Sequence, residues 1–136
     1  MPHTGPLAER ELIRELLERY CDAVNQRDAV AWGATWAEDA AWELPHLEVV
    51  GIQGREAIVA AWKEAMALFP FVNMMAQAGS IEVDGERAVM RSYTAEVAVL
   101  QDGKEIRPRG RYDDVCVKQG GEWRFQHRKF TVLHGE

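Results

Sequence analysis

The sequence predicts an α+β domain in which helices come first and an antiparallel sheet follows. Three observations predict it. Apolar residues recur at helical spacing in the first half, at Leu12, Ile13, Leu16, Leu17, Tyr20, Ala23 and Val24, and again at Ile58, Val59, Trp62, Met66 and Leu68. The second half is punctuated by Asp84-Gly85, Asp102-Gly103 and Gly120-Gly121, pairs that tolerate the positive φ of hairpin turns. The stretch from Gly110 to Arg128 alternates with a period of two. Gly110, Tyr112 and Asp114 share one face of a strand. After the Gly120-Gly121 turn, Trp123, Phe125 and His127 share one face of its partner, leaving Arg124, Gln126 and Arg128 on the other.

Taken in order, Met1 to Pro6 carries two prolines and a glycine and reads as a disordered tail. Residues 7–136 read as one domain. The first helix starts at Leu7, with Glu9, Arg10, Glu11, Arg14, Glu15, Glu18 and Arg19 on its outer face. Asp28 is a good N-cap for a short second helix holding Val30, Trp32 and Trp36. Ala40 to Leu44 reads as a strand that Pro45 stops, and His46 to Gly54 as a connection folded over something. A third helix spans Gly54 to Phe69, and Pro70 ends it. Strands follow over Val72–Gln77, Ser80–Val83, Ala88–Leu100, Glu105–Lys118 and Glu122–Leu133. No internal repeat or domain boundary interrupts them.

Composition narrows the function. A chain of 136 residues buries roughly two thirds of its unfolded surface as one domain. Its 47% apolar content contains no run near the ~20 residues of a membrane span. Met1 to Arg10 lacks the basic start and apolar stretch of a secretory leader. Cys21 and Cys116 are the only cysteines and lack metal-ligand spacing, so reduced thiols in a cytoplasm are expected, with no metal. A formal charge of −6 disfavours nucleic acid and anionic membrane as partners. A small apolar molecule fits better. Phosphate-loop, zinc and dinucleotide patterns are missing, so no cofactor is expected. Ser80 and Ser92 lack the glycine elbow of a serine nucleophile.

Gly-x-Tyr-x-Asp at Gly110–Asp114, a turn, and Trp-Arg-Phe-x-x-Arg at Trp123–Arg128 together resemble the C-terminal signature of SnoaL-like proteins, members of the nuclear transport factor two-like superfamily. Tyr20 through Asp28, followed by Trp36-x-x-Asp39-Ala40, resembles the first two helices and first strand of that family. The resemblance covers nearly the whole chain. It implies a cone: three N-terminal helices packed into a strongly curved antiparallel sheet, with a pocket between them. It also implies pairing through the open face of the sheet, as a homodimer or, less commonly, a trimer. Fold alone does not choose a function.

The resemblance directs attention to particular residues. Tyr20 lies on the buried side of the first helix, and Asn25 marks its end. In SnoaL-like dehydratases, dehydrochlorinases and isomerases the position matching Asn25 carries a catalytic aspartate, and a histidine follows on the strand after the third helix. Here the matching residue of that strand is Met74 or its neighbour Asn73, so the dyad is absent. An amide can orient a ligand but cannot accept a proton at neutral pH. Arg128 matches an arginine that in several lyases points into the cone; its other reading is a partner for Asp113 or Asp114. Glu96 sits in the largely apolar SYTAEVAVL, where an inward carboxylate is desolvated and its basicity raised. An outward edge-strand glutamate is the other reading. Trp42, Trp62, Tyr112 and Met74 are candidate pocket walls, and His46 could reach the mouth from its loop.

Two functions compete. One is a cofactor-independent lyase or isomerase acting on an apolar cyclic molecule. Glu96 is then the base, Tyr20 and Asn25 are hydrogen-bond donors, and Arg128 gives electrostatic support. The other is a binding or accessory domain that uses the same cone without catalysis, consistent with the missing dyad.

Overall fold

A computed structural model describes residues 3–135. Helix α1 (Leu7–Gln26) buries Ile13, Leu16, Leu17, Tyr20, Ala23 and Val24, the predicted stripe with Leu12 left at its exposed margin. Arg27 ends it in the left-handed conformation, and its guanidinium donates to the Met66 carbonyl at the end of α3, 2.6 Å away. Helix α2 (Ala29–Ala34) starts at Asp28, whose carboxylate accepts from the Ala31 N–H at 3.0 Å, as a capping aspartate should. Helix α3 (Arg55–Met66) buries Ile58, Trp62 and Met66 and stops four residues before Pro70. Trp36 belongs to the following strand and not to α2.

Eight strands form one open sheet: β1 (His3–Thr4), β2 (Trp36–Leu44), β3 (Val49–Gln53), β4 (Phe71–Asp84), β5 (Arg87–Val99), β6 (Glu105–Ile106), β7 (Arg109–Gln119) and β8 (Glu122–His134). Their order is β1-β4-β5-β7-β8-β2-β3, with β6 beside β5. The sheet is mixed, which corrects the purely antiparallel expectation. β2 runs parallel to β8 and β1 parallel to β4. Hairpin signals orient neighbours in sequence, and none acts between strands that lie some eighty residues apart.

Two further expectations change. The tail is not wholly disordered: His3 and Thr4 pair with Ile81 and Glu82, and the Ile81 N–H donates to His3 Nδ1 at 3.1 Å. Met1 and Pro2 lie outside the described residues. The connection after Pro45 contains strand β3, in register with β2 through Ala41–Gln53 and Trp42–Ile52.

The C-terminal hairpin holds the main correction. β7 alternates as predicted, burying Gly110, Tyr112, Asp114 and Cys116. In β8, Cys116 pairs with Phe125 but Val115 pairs with His127, so Gln126 is an extra residue, a β-bulge. Inward parity therefore runs Trp123, Phe125, Arg128, Phe130. Arg128 lies on the same side as Trp123 and Phe125. His127 is turned away from the core and pairs with Glu43. Gly110 is required beneath Phe130, because a Cβ there would stand 2.2 Å from the phenyl ring.

Aromatic rings fill the space between helices and sheet. Trp32 stacks on Trp62 with centroids 4.6 Å apart and planes 12° from parallel, and Tyr20 packs edge-on to Trp36 and Phe125. Truncating such a ring to alanine costs roughly 3–5 kcal/mol.

Candidate active site

One cavity opens among α1, α3 and the inner face of the sheet, with a volume of about 460 Å³. This is within the usual range for small-molecule sites. Tyr20, Trp42, Trp62, Met74 and Tyr112 lie on its wall. So do Glu96 and His46, the latter from a 3-10 turn (Pro45–Leu47) at the rim, where its ring packs 5.2 Å from that of Phe130. Two larger hollows lie on the outer helical surface, bordered by exposed residues such as Arg19 and Gln26, or Val30 and Lys63. They bring together no comparable set of inward-facing groups.

Among the described residues Glu96 is the one carboxylate lining this cavity. Strand β5 pairs it with Met74 of β4. Met74 directs both its N–H and its carbonyl away from β5, towards Asn25, so Met74 and Glu96 form a non-hydrogen-bonded pair, whose side chains stand close together. The Glu96 N–H correspondingly turns the other way, to the Pro108 carbonyl at 3.1 Å. A thioether thus flanks the carboxyl, and no side-chain hydrogen bond reaches it from the described residues. Burial pushes its pKa up to about 7. A carboxylate near neutrality in an apolar pocket is suited to act as a base.

Three predicted site residues do not lie on the wall. Asn25 spends its amide on the free edge of β4: Nδ2 donates to the Met74 carbonyl at 2.9 Å, and Oδ1 accepts from the Met74 N–H at 2.7 Å. Asn73 alternates with Met74 and so faces the opposite side of β4. Arg128 is fully buried behind the wall.

Arg128 is held by Asp114, the second reading of the sequence. Nε donates to Asp114 Oδ1 at 2.7 Å and Nη2 to Oδ2 at 3.3 Å, with Ser92 Oγ bridging the pair. Burial works against the guanidinium charge, but Asp114 holds the pKa of Arg128 above its ordinary value. Its Cζ lies 3.7 Å from the Tyr112 ring centroid, 4.1 Å from Phe125 and 4.4 Å from Tyr20. Arg128 is therefore a neutralised cation screened from the cavity by phenol rings.

At the wall, Trp42 Nε1 donates to the Tyr112 hydroxyl oxygen at 3.1 Å. Burial raises the pKa of both Tyr112 and Tyr20. Phe130 and Ile106 are among the further apolar lining residues and were not singled out as site residues in the sequence. Only the bulge, which restores Phe130 to the inner face, explains its place. Among the described residues no group of three or more metal-ligating side chains forms, and no helix is long and apolar enough to cross a membrane.

Residues 6–129 match the model of the SnoaL-like domain. The chain belongs to the SnoaL-like family. Solved structures agree in fold. A Mycobacterium tuberculosis protein of unknown function, Rv3472, superposes with a TM-score of 0.83 at 26% identity, over 95% of this SnoaL-like chain and 79% of that one. A scytalone dehydratase candidate from Novosphingobium aromaticivorans gives 0.86 at 20% identity, over 96% and 87%. A hexachlorocyclohexane dehydrochlorinase from Novosphingobium barchaimii gives 0.83 at 16% identity, over 96% and 90%. No curated protein matches this SnoaL-like chain. Likeness at these identities shows a shared fold.

Proposed function

We propose that this protein is a cofactor-independent lyase or isomerase for an uncharged, apolar cyclic molecule, with Glu96 as its general base. The carrying observation is a carboxylate, alone among the described residues of an otherwise aromatic and aliphatic cavity, raised by burial to a pKa of about 7. Glu96 takes a proton from a ligand carbon. The electron pair left behind moves onto an adjacent carbonyl oxygen, giving an enolate that is reprotonated elsewhere, or expels a leaving group from the neighbouring carbon. Apolar walls keep competing water out. Arg128 carries no free charge into the cavity because Asp114 neutralises it, which supports an uncharged ligand.

The test uses 2-tetralone, a two-ring apolar ketone. Wild type in D2O should exchange its α-protons faster than buffer alone, followed by NMR. Glu96→Gln keeps the shape, removes the acceptor, and should slow exchange by roughly 10²–10⁴-fold. Equal rates for wild type and variant would sink the base assignment.

A binding-only role is the second reading, favoured by Asn25 being committed to Met74 where a catalytic aspartate is expected. It predicts ligand retention with no exchange. The proposal extends to assembly: a second copy of the chain covers the outer sheet face, where Phe71, Met75, Tyr93 and Leu133 are exposed.

A further inference from the structure

The base in this cavity needs an electrophilic counterpart, and the hydrogen-bond pattern at the Trp42 wall indicates which group supplies it. The Tyr112 oxygen already accepts from Trp42 Nε1. The Tyr20 ring packs beside that of Tyr112, with centroids 6.5 Å apart. An oxygen that accepts from an N–H has its own O–H free to point elsewhere. Tyr112 lies on the cavity wall, where that O–H can be presented to a ligand.

Burial holds the Tyr112 proton in place, while two neighbours polarise the hydroxyl in the opposite sense. The Arg128 guanidinium lies 3.7 Å from the ring centroid, and Trp42 donates to the oxygen. Glu96 acts in the opposite sense when ionised. It stands on the same wall, so one ligand can present a C–H to Glu96 and an oxygen to Tyr112.

We propose that Tyr112 is the hydrogen-bond donor that binds the acceptor oxygen of an uncharged carbonyl ligand, with Trp42 and Arg128 as positioning residues that aim and strengthen its O–H. The assignment rests on this cavity being the ligand site and not on Glu96 being the base. Tyr112 keeps its proton throughout. The role is electrostatic stabilisation of the oxygen on which charge develops, and donors held in place beforehand do this without reorganisation.

The test compares 2-tetralone with tetralin, the same skeleton lacking the oxygen. Wild type should bind the ketone more tightly, and Tyr112→Phe should lose roughly 3- to 10-fold in ketone affinity with tetralin unchanged. The infrared band of carbonyl-¹³C 2-tetralone should fall in frequency on binding to wild type and move back up in Tyr112→Phe. Trp42→Phe removes the N–H donor but leaves Tyr112 in place. It should give an intermediate band position, which simple loss of packing does not produce. An unshifted bound carbonyl in wild type, or a shift retained in Tyr112→Phe, would overturn the assignment. So would a wild type that does not bind 2-tetralone at millimolar concentration. If the band behaves as expected but Glu96→Gln still exchanges protons, the base assignment fails and the donor stands. The converse result separates them the other way.

Discussion

Asn25 and Met74 are joined as if they were partners in a sheet, the side-chain amide of one meeting both backbone polar groups of the other at 2.9 and 2.7 Å. Beyond residues 81–82, where β1 pairs, no strand among the described residues lies beside this edge of β4. One side chain thus satisfies a donor and an acceptor that would otherwise need water, and fixes the end of α1 against the strand beneath Glu96.

Asn25→Asp should therefore destabilise the protein and not simply restore a catalytic acid. The carboxylate has no N–H for the Met74 carbonyl, and two acceptors then face each other. A loss of about 1–3 kcal/mol is expected in urea unfolding at pH 7. Unchanged stability would show that the clamp is dispensable.

Stability and activity should both report the Glu96 titration. Burial raises its folded pKa to about 7 from 4.5. The folded state then binds more protons than the unfolded between these values, so Glu96 destabilises the fold increasingly as pH rises from 4.5 through 7. Glu96→Gln should match wild type near pH 4 and exceed it at pH 8 by up to about 3 kcal/mol. Proton exchange by wild type should rise over the same interval as the base ionises. A flat difference in unfolding free energy across pH would refute the shift.

Asp114 and Arg128 are both fully buried, so removing one partner strands the other charge. Asp114→Ala should cost about 3–5 kcal/mol in chemical denaturation. Arg128→Lys keeps the charge but loses the planar fork that spans both carboxylate oxygens and packs on Tyr112. It should fall between wild type and Asp114→Ala, with broadened near-ultraviolet tyrosine signals.

Self-association through the outer sheet face predicts a dimer in analytical ultracentrifugation at tens of micromolar (roughly where a modest interface is populated). Charging the face, as in Met75→Glu with Tyr93→Glu, should yield monomer without unfolding. A monomeric wild type at that concentration contradicts the proposal.

What the sequence made legible was local. The α1 stripe, the Asp28 cap and the glycine-marked hairpins each depend on residues within a few positions of one another, and each is where it was expected. The pairing of β2 with β8 is not local. Strand β3 escaped notice because its preceding turn is made by Glu48 at φ 60°, a left-handed residue that is not glycine. The site divides along the same line. Glu96 and Tyr20 announce themselves as polar residues within apolar runs. The commitment of Asn25 to a backbone edge and of Arg128 to Asp114 depends on elements brought together only by folding.

The bulge at Gln126 reaches beyond the parity of one strand. An extra residue on one side of a ladder bends it, as an added stave bends a cask, and β8 carries Phe130 and Val132 into the cavity just past that bend. Deleting Gln126 would leave every inward side chain facing inward, since Phe125 and Arg128 would still alternate correctly. It would straighten the strand at that point. The capacity of the chamber is thus governed partly by a residue that never touches its contents, and ligands of another girth could be admitted by changing chain length there while every wall residue stays the same.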